Sequence, residues 1–530
     1  MKVLVVLFDE NNKWQKEVLA AGKTAEGLCR DFFETAQFLP AGIETSEIVC
    51  LSASDIHCGS ELLAKIHHLA KESSSDAVIY SYADLPFLNR TLTNELLKTH
   101  FEYKCEYTFY EGYPYGFTPE IIDSGTIGIL SELAKGSQAE EGRKPVCRET
   151  IFNLIKCDIN SFEVESEISE TDWRLLRLRF CCESKDTFLQ CRNLLSSFDG
   201  DFNNFDAEKI SEAASKNAGV LKTIPSFYNI QISSARDLKP LYEAGFSSES
   251  SEEAASFMNL ENFSLFCKKI SDYSEKAVLN IGFGGEALLN PDFYAIVKEA
   301  LKYEGLSVFF ETSALAFTED SIITLKNIVL QAVERTNGWQ PLMVAVRLDG
   351  VSAPVYAKMN GTSEENFMKA VENTKKLCAA LPSMVYPQFT RMNQNEEELE
   401  TFFRFWNEKS NASGGNLIIQ KYNDYSGLLP SCKPADFSPV ERNVCWHIRR
   451  DMTVMADGSL FACPNMAAVF AASKNKSVKD SGAYEKCLGN VFESDLSELF
   501  DKSRDLVSDH INKNYCQCCG KCDEYYTFNF

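Results

Sequence analysis

Between Phe227 and Pro430 six strand-like apolar runs alternate with helical stretches, and this alternation limits the fold more than any other feature. The runs are FYNIQIS, KAVLNIGFGG, LSVFFETSA, LMVAVRLDG, MVYPQFTRM and GNLIIQKYND. Segments such as PDFYAIVKEALKYE and SEENFMKAVENTKKLCAAL separate them with helical spacing. Strands joined through helices pair in parallel, because the crossover returns the chain to the starting end of the sheet. Six such units predict a (β/α) barrel, complete or partial, with its chemistry at the C-terminal ends of the strands.

A second α/β region precedes it. From Met1 to about Ala134, KVLVVLF, SEIVCL and SDAVIYSYADLPFLN alternate with AEGLCRDFFETAQFL and GSELLAKIHHLAKE. The polar stretch KGSQAEEGRKP then reads as a linker. The expected organisation is therefore a 1–134 α/β domain, a 135–226 linker and small α+β region, a 227–430 barrel and a 431–530 tail. Within the tail, DMTVMADGSLFACP reads as a hairpin turning at Asp457-Gly458, and DLSELFDKSRDLV as a helix.

A chain of 530 residues exceeds one ordinary core, in keeping with several domains. Its net charge of −23 argues against a nucleic-acid partner, which needs clustered Lys and Arg, and against an anionic membrane surface. No apolar run reaches the ~20 residues of a membrane span. The apolar stretch Val3–Phe8 near the start is too short for a signal peptide and reads as a first strand. A reducing cytoplasm is the expected location.

Nineteen cysteines matter in that setting, because cytoplasmic thiols stay reduced. Cys29, Cys50, Cys157 and Cys267 sit singly in apolar stretches and read as small buried hydrophobes, and Cys487 as core. The tail differs, with Cys516, Cys518, Cys519 and Cys522 inside seven positions. Folding the hairpin at Asp457-Gly458 brings Cys445 and Cys463 to one end. Cys519 and Cys522 form C-x-x-C, a spacing at which two thiolates meet one metal site. Together these give a four-thiolate cage, open to zinc or to an iron–sulfur cluster. The register also stays open. Cys516-x-x-Cys519 has the same spacing, which makes Cys516 the leading substitute, while Asp523, Tyr525 and Tyr526 favour Cys519 and Cys522. Cys518 is surplus. His447 is either a cluster neighbour or a plain hairpin histidine.

Cys445 through VMADGSLFACP to Cys463, then LGNVFESDLSELFD and the terminal C-x-x-C-D, resemble the SPASM/twitch domain. That resemblance implies an auxiliary 4Fe-4S cluster. Upstream, LNIGFGGEALLNPDFYAIVKEAL resembles the radical SAM segment whose backbone and Glu receive the amino group of S-adenosylmethionine, which maps onto Gly284, Gly285 and Glu286. VAVRLDGVSAPVYAKMNG resembles a later strand of the same family. The stretch FYNIQISSARDLKPLYEAGFSSES, where that family carries C-x-x-x-C-x-x-C, has no cysteine, so reductive cleavage of S-adenosylmethionine is not implied. The combination most resembles the spiro-SPASM proteins. It implies a cluster with no open iron, serving structure, electron transfer or partner docking. S-adenosylmethionine would be bound uncleaved, with a peptide or protein as possible substrate.

In the first region, SYADLPFLNR resembles the aDxPfl stretch of GT-A nucleotidyltransferases, and EGYPYGFTPEIIDSGTIGILSEL their substrate-side segment. This implies a GT-A-like, Rossmann-type domain in which Asp84 at a strand end holds Mg²⁺ over a nucleotide. Gly22-Lys23 is kept, but Asp9 and Glu10 stand in the usual Gly-rich turn and would repel a triphosphate. The plainer reading of Asp84 is turn chemistry. GFGGEA lacks the third glycine of a dinucleotide fingerprint, and neither a G-x-S-x-G elbow nor a phosphate-binding G-x-x-x-x-G-K-[ST] loop occurs.

Overall fold

Lys2–Asp9 and Ala77–Tyr82 are the most apolar runs of the first region, and in the computed structural model they lie side by side at the middle of its sheet. The structure describes residues 1–136, 140–198, 206–244, 255–434, 442–474 and 487–526. The chain divides into two compact units, Met1–Thr223 and Ile224–Phe530.

The sheet of the first unit runs Glu44–Ser52, Lys2–Asp9, Ala77–Tyr82, Glu120–Asp123, Tyr107–Glu111, Val164–Ile168. The first three strands are parallel. Glu120–Asp123 runs against both its neighbours, and the outer pair is again parallel. All six residues of Ala77–Tyr82 are buried, as a central strand covered on both faces requires. The described residues between 135 and 223 belong to this unit, and Val164–Ile168 supplies its outer strand. A strand from the stretch expected to be a linker and small α+β region thus joins the first sheet. The stretch VESEISETDWRLLRLRFCCES reads from sequence as a strand pair or a strand–helix unit, and its first residues, Val164–Ile168, form the strand.

In the second unit the strands Phe227–Ile230, Ala277–Asn280, Leu306–Thr312, Leu342–Arg347, Val385–Arg391 and Ile418–Lys421 pair in sequence order, each parallel to the next. Alternate residues pack on opposite faces. Leu279, Val308, Phe310, Val344 and Val346 join the large core with the helices, while Val278, Phe309, Met343 and Ala345 form a second apolar layer. The tail is not a separate layer. Its hairpin, Asp451–Val454 with Ser459–Phe461, continues the same sheet, and Asp451–Val454 lies parallel to Phe227–Ile230. Gly458 closes the turn at φ +84°, a conformation other residues rarely adopt. No helix among the described residues is long and apolar enough to cross a membrane.

Candidate functional site

Where the tail meets the C-terminal ends of the parallel strands there is a cavity of about 220 Å³. Cys445, Cys463, Cys518, Cys519 and Cys522 line one side of it. Asn229, Asn280, Glu311 and Gln388, from four different strands or strand ends, line the other.

Local structure explains the grouping. Cys445 caps the short helix Trp446–Arg450, which leads into the hairpin, and Cys463 follows the returning strand directly before the helix Pro464–Lys474. The helix Gln517–Lys521 is flanked by Cys516 and Cys522 as its caps. In such a turn residues three and four apart share a face, so Cys518 and Cys522 fall on one side together. Cys516, the substitute in the sequence reading, is not part of the lining. It hydrogen-bonds to Cys519. Cys518, read as surplus, is buried against the cavity. The i, i+4 spacing from Cys518 to Cys522 held this signal, but it is legible only if the segment is known to be helical.

Burial pushes the Cys445 thiol up to about 11. Burial also drives Cys463 well above the usual thiol range, and the neighbouring Cys518, Cys522 and Cys445 add to the shift. Thiols crowded this closely resist ionising together, and a cationic core removes the opposition. Several sulfurs already have donors. The Met466 N–H lies 3.5 Å from Cys463 Sγ and the Glu524 N–H 3.3 Å from Cys522 Sγ. The Arg442 guanidinium stacks between Tyr515 and Tyr525, 4.4 Å from each ring centre, and donates to the Cys519 and Cys522 carbonyls. His447 is fixed by an Nδ1–Asp451 Oδ2 contact of 2.6 Å. Among the described residues, no three His, Cys, Asp or Glu side chains converge tightly enough for a single metal ion. A four-iron cubane makes a different demand, since its four thiolates each bind their own iron. The cavity lining offers five thiols from which such a set could be drawn.

Other thiols depart from the reading. Cys29 and Cys267 are buried as expected, but Cys50, Cys157 and Cys487 are exposed. Cys50 lies on the edge strand Glu44–Ser52, Cys157 caps the end of the helix Thr150–Lys156, and Cys487 precedes the two-residue strand Gly489–Asn490.

Glu286 is 1% exposed and does not line the cavity, and both its oxygens are engaged. Thr312 Oγ1 donates to Oε1 at 2.8 Å, the Ser313 N–H to Oε2 at 3.0 Å, and Arg347 Nη2 to Oε2 at 3.2 Å. Burial, and then Asp237, push its carboxyl up, while Arg347 opposes them. Arg347 also pairs with Glu243, which in turn pairs with Arg236. Gly284 lines the cavity at φ +72°, whereas Gly285 is packed so closely that a Cβ would stand 2.0 Å from the Ser233 carbonyl oxygen. Both oxygens of Glu286 therefore already have protein donors, where the resemblance would leave them for a ligand ammonium group.

Asp84, in the first unit, is similarly enclosed. It is 1% exposed, and Arg148 grips both its oxygens through Nη1 at 3.1 Å and Nη2 at 2.7 Å. Arg148 also reaches Glu183 at 2.6 Å and Glu10 at 3.2 Å, and lies 4.3 Å from the Tyr82 ring centre. A bidentate guanidinium takes the position a divalent ion on Asp84 would need. Mg²⁺ does not fit this carboxylate as it stands.

No family model matches the chain. Similarity to solved structures is low. SuiB of Streptococcus suis, bound to precursor peptide SuiA, aligns at 12% identity over 57% of this chain and 72% of SuiB, with a TM-score of 0.39. BtrN in complex with AdoMet and 2-DOIA aligns at 13% identity over 57% of this chain and 94% of BtrN, at a TM-score of 0.35. A cytidylyltransferase from Leptospira borgpetersenii covers 41% of this chain and 95% of its own length, at 12% identity and a TM-score of 0.31. Scores this low carry no argument. A sequence relative is much nearer: an uncharacterized protein of Treponema pallidum (strain Nichols) is 36% identical over 390 residues, 72% of this chain and 99% of that protein. At that identity and coverage, the chain belongs to the same family as this Treponema pallidum protein.

Proposed function

We propose that the protein binds one 4Fe-4S cluster at the tail cavity, on a radical-SAM-like partial barrel that performs no radical chemistry. The observation that carries this reading is the shared cavity of Cys445, Cys463, Cys518, Cys519 and Cys522 at the C-terminal ends of the parallel strands. The sequence-ordered strands support a partial barrel, and the absence of C-x-x-x-C-x-x-C removes the cluster that would cleave S-adenosylmethionine. Four of the five thiolates would hold the irons. The group, when bound, supplies one-electron redox capacity or a rigid clasp. The chain's own residues bury it, position its thiolates and present a polar wall. Asn229, Asn280 and Gln388 on that wall would suit the backbone of a peptide or protein segment. The nucleotidyltransferase-like reading of the first unit gains no such support, because Arg148 already occupies Asp84.

Anaerobic purification followed by an absorption spectrum and iron, sulfide and zinc analysis tests the proposal. The expected result is a broad band near ~400 nm with about four irons and four sulfides per chain, lost in Cys463→Ser. One tightly held zinc and no colour would replace the cluster with a structural clasp.

A further inference from the structure

Asn465 stands two residues beyond Cys463, in the first turn of the helix Pro464–Lys474, and is buried. Its Nδ2 donates to Cys522 Sγ at 3.2 Å, so one amide links the hairpin half of the thiol set to the tail half. Asn423 fixes its orientation. Asn423 Nδ2 donates to Asn465 Oδ1 at 2.8 Å, and Asn465 Nδ2 lies 3.3 Å from Asn423 Oδ1. A flipped Asn465 would set amine against amine and carbonyl against carbonyl, so its N–H is committed to the sulfur side. Ser426 completes the hub, with its Oγ 3.3 Å from Asn465 Nδ2 and 3.2 Å from Cys518 Sγ.

Asn423 and Ser426 lie on the loop after the strand Ile418–Lys421. Two consecutive non-glycine residues there are left-handed, Tyr425 at φ +51° and Ser426 at φ +60°. Such strain persists only where the surroundings impose it, and it gathers at functional sites. Here it turns Ser426 and Asn423 toward two thiols and the amide between them.

We propose that Asn465, braced by Asn423 and Ser426, is a positioning residue that sets the reduction potential of the cluster through its N–H bond to the Cys522 thiolate. This rests on the cluster reading given above. A donor on a ligand sulfur draws off electron density, favours the more negative reduced state and raises the potential. The bond involves no group that reacts.

The test is a redox titration of the full-length protein, purified anaerobically, followed by electron paramagnetic resonance. Asn465→Leu, of similar size but without a donor, is expected to keep its iron and sulfide. It should lower the reduced-to-oxidised ratio at a fixed potential about tenfold, equal to about 59 mV for one electron. Ser426→Ala is expected to move the midpoint in the same direction by less. A full iron content with an unmoved midpoint in Asn465→Leu overturns the inference. Should that variant fail to hold iron, Asn423→Ala keeps the donor and removes its brace, and an unmoved midpoint there overturns it equally. A wild-type protein without iron and sulfide overturns the cluster reading instead, so the two failures are distinguishable.

Discussion

Arg148 and Arg347 each meet a carboxylate that the sequence marked as chemically active, and each neutralises it inside the protein. The Arg148 head touches Asp84, Glu183 and Glu10, and removing one partner of such a buried set leaves charge uncompensated. Asp84→Ala is therefore expected to lower stability by about 3 kcal/mol, read by denaturant unfolding. A variant as stable as wild type, but deficient in Mg²⁺-dependent nucleotide turnover, would restore the catalytic reading. The SYADLP stretch gave the strand end and the turn correctly, since both depend on neighbouring residues. It could not report Arg148, which lies 64 positions further along the chain.

The hairpin was legible as an element. Asp457-Gly458 between two apolar runs marks a tight turn, and the strands Asp451–Val454 and Ser459–Phe461 form on either side of it. The turn also brings Cys445 and Cys463 to one cavity. Any side chain at Gly458 would sit on a left-handed backbone and place its Cβ 2.5 Å from both Asn490 Oδ1 and the Phe492 ring, and β-branched valine fits that backbone least. Gly458→Val is thus expected to cost about 2 kcal/mol or more in thermal unfolding. Wild-type stability in that variant would mean that the turn does not need glycine. The tail helix Gln517–Lys521 was not legible, because five residues rich in cysteine and glycine carry no apolar period. Packing holds it instead, through the Arg442 clamp on the Cys519 and Cys522 carbonyls.

At the scale of the whole molecule, each unit buries one histidine in its neutral form. His100 in the first unit bonds Thr108 at 2.9 Å, and burial lowers its pKa to about 4. His510 in the second is lowered to about 4 by burial and then by Arg442. An unfolded histidine titrates near 6.5, so as pH falls below that value the unfolded chain takes up protons before the folded one does. The stability these groups contribute is present above about pH 6.5 and is lost as pH drops towards 4, by up to about 3 kcal/mol for each. Melting temperatures measured from pH 7 to pH 4.5 should fall, and His100→Phe or His510→Phe should each flatten the decline. An unchanged slope in both variants would place the acid response elsewhere.

The sequence by itself determined the elements whose causes are local. These are the apolar runs that pair as parallel strands, the glycine turn of the hairpin and the crowding of thiols in the tail. Tertiary structure alone decided what the polar residues at those element ends can do. Glu286 and Arg347 are 61 positions apart, and their pairing shuts a carboxylate that a motif would leave open. The sheet decided the division of the chain in the same way, drawing Val164–Ile168 into the first unit and Asp451–Val454 into the second. Local spacing fixes backbone conformation, but the charge state and access of a buried group depend on which distant partner the fold delivers to it.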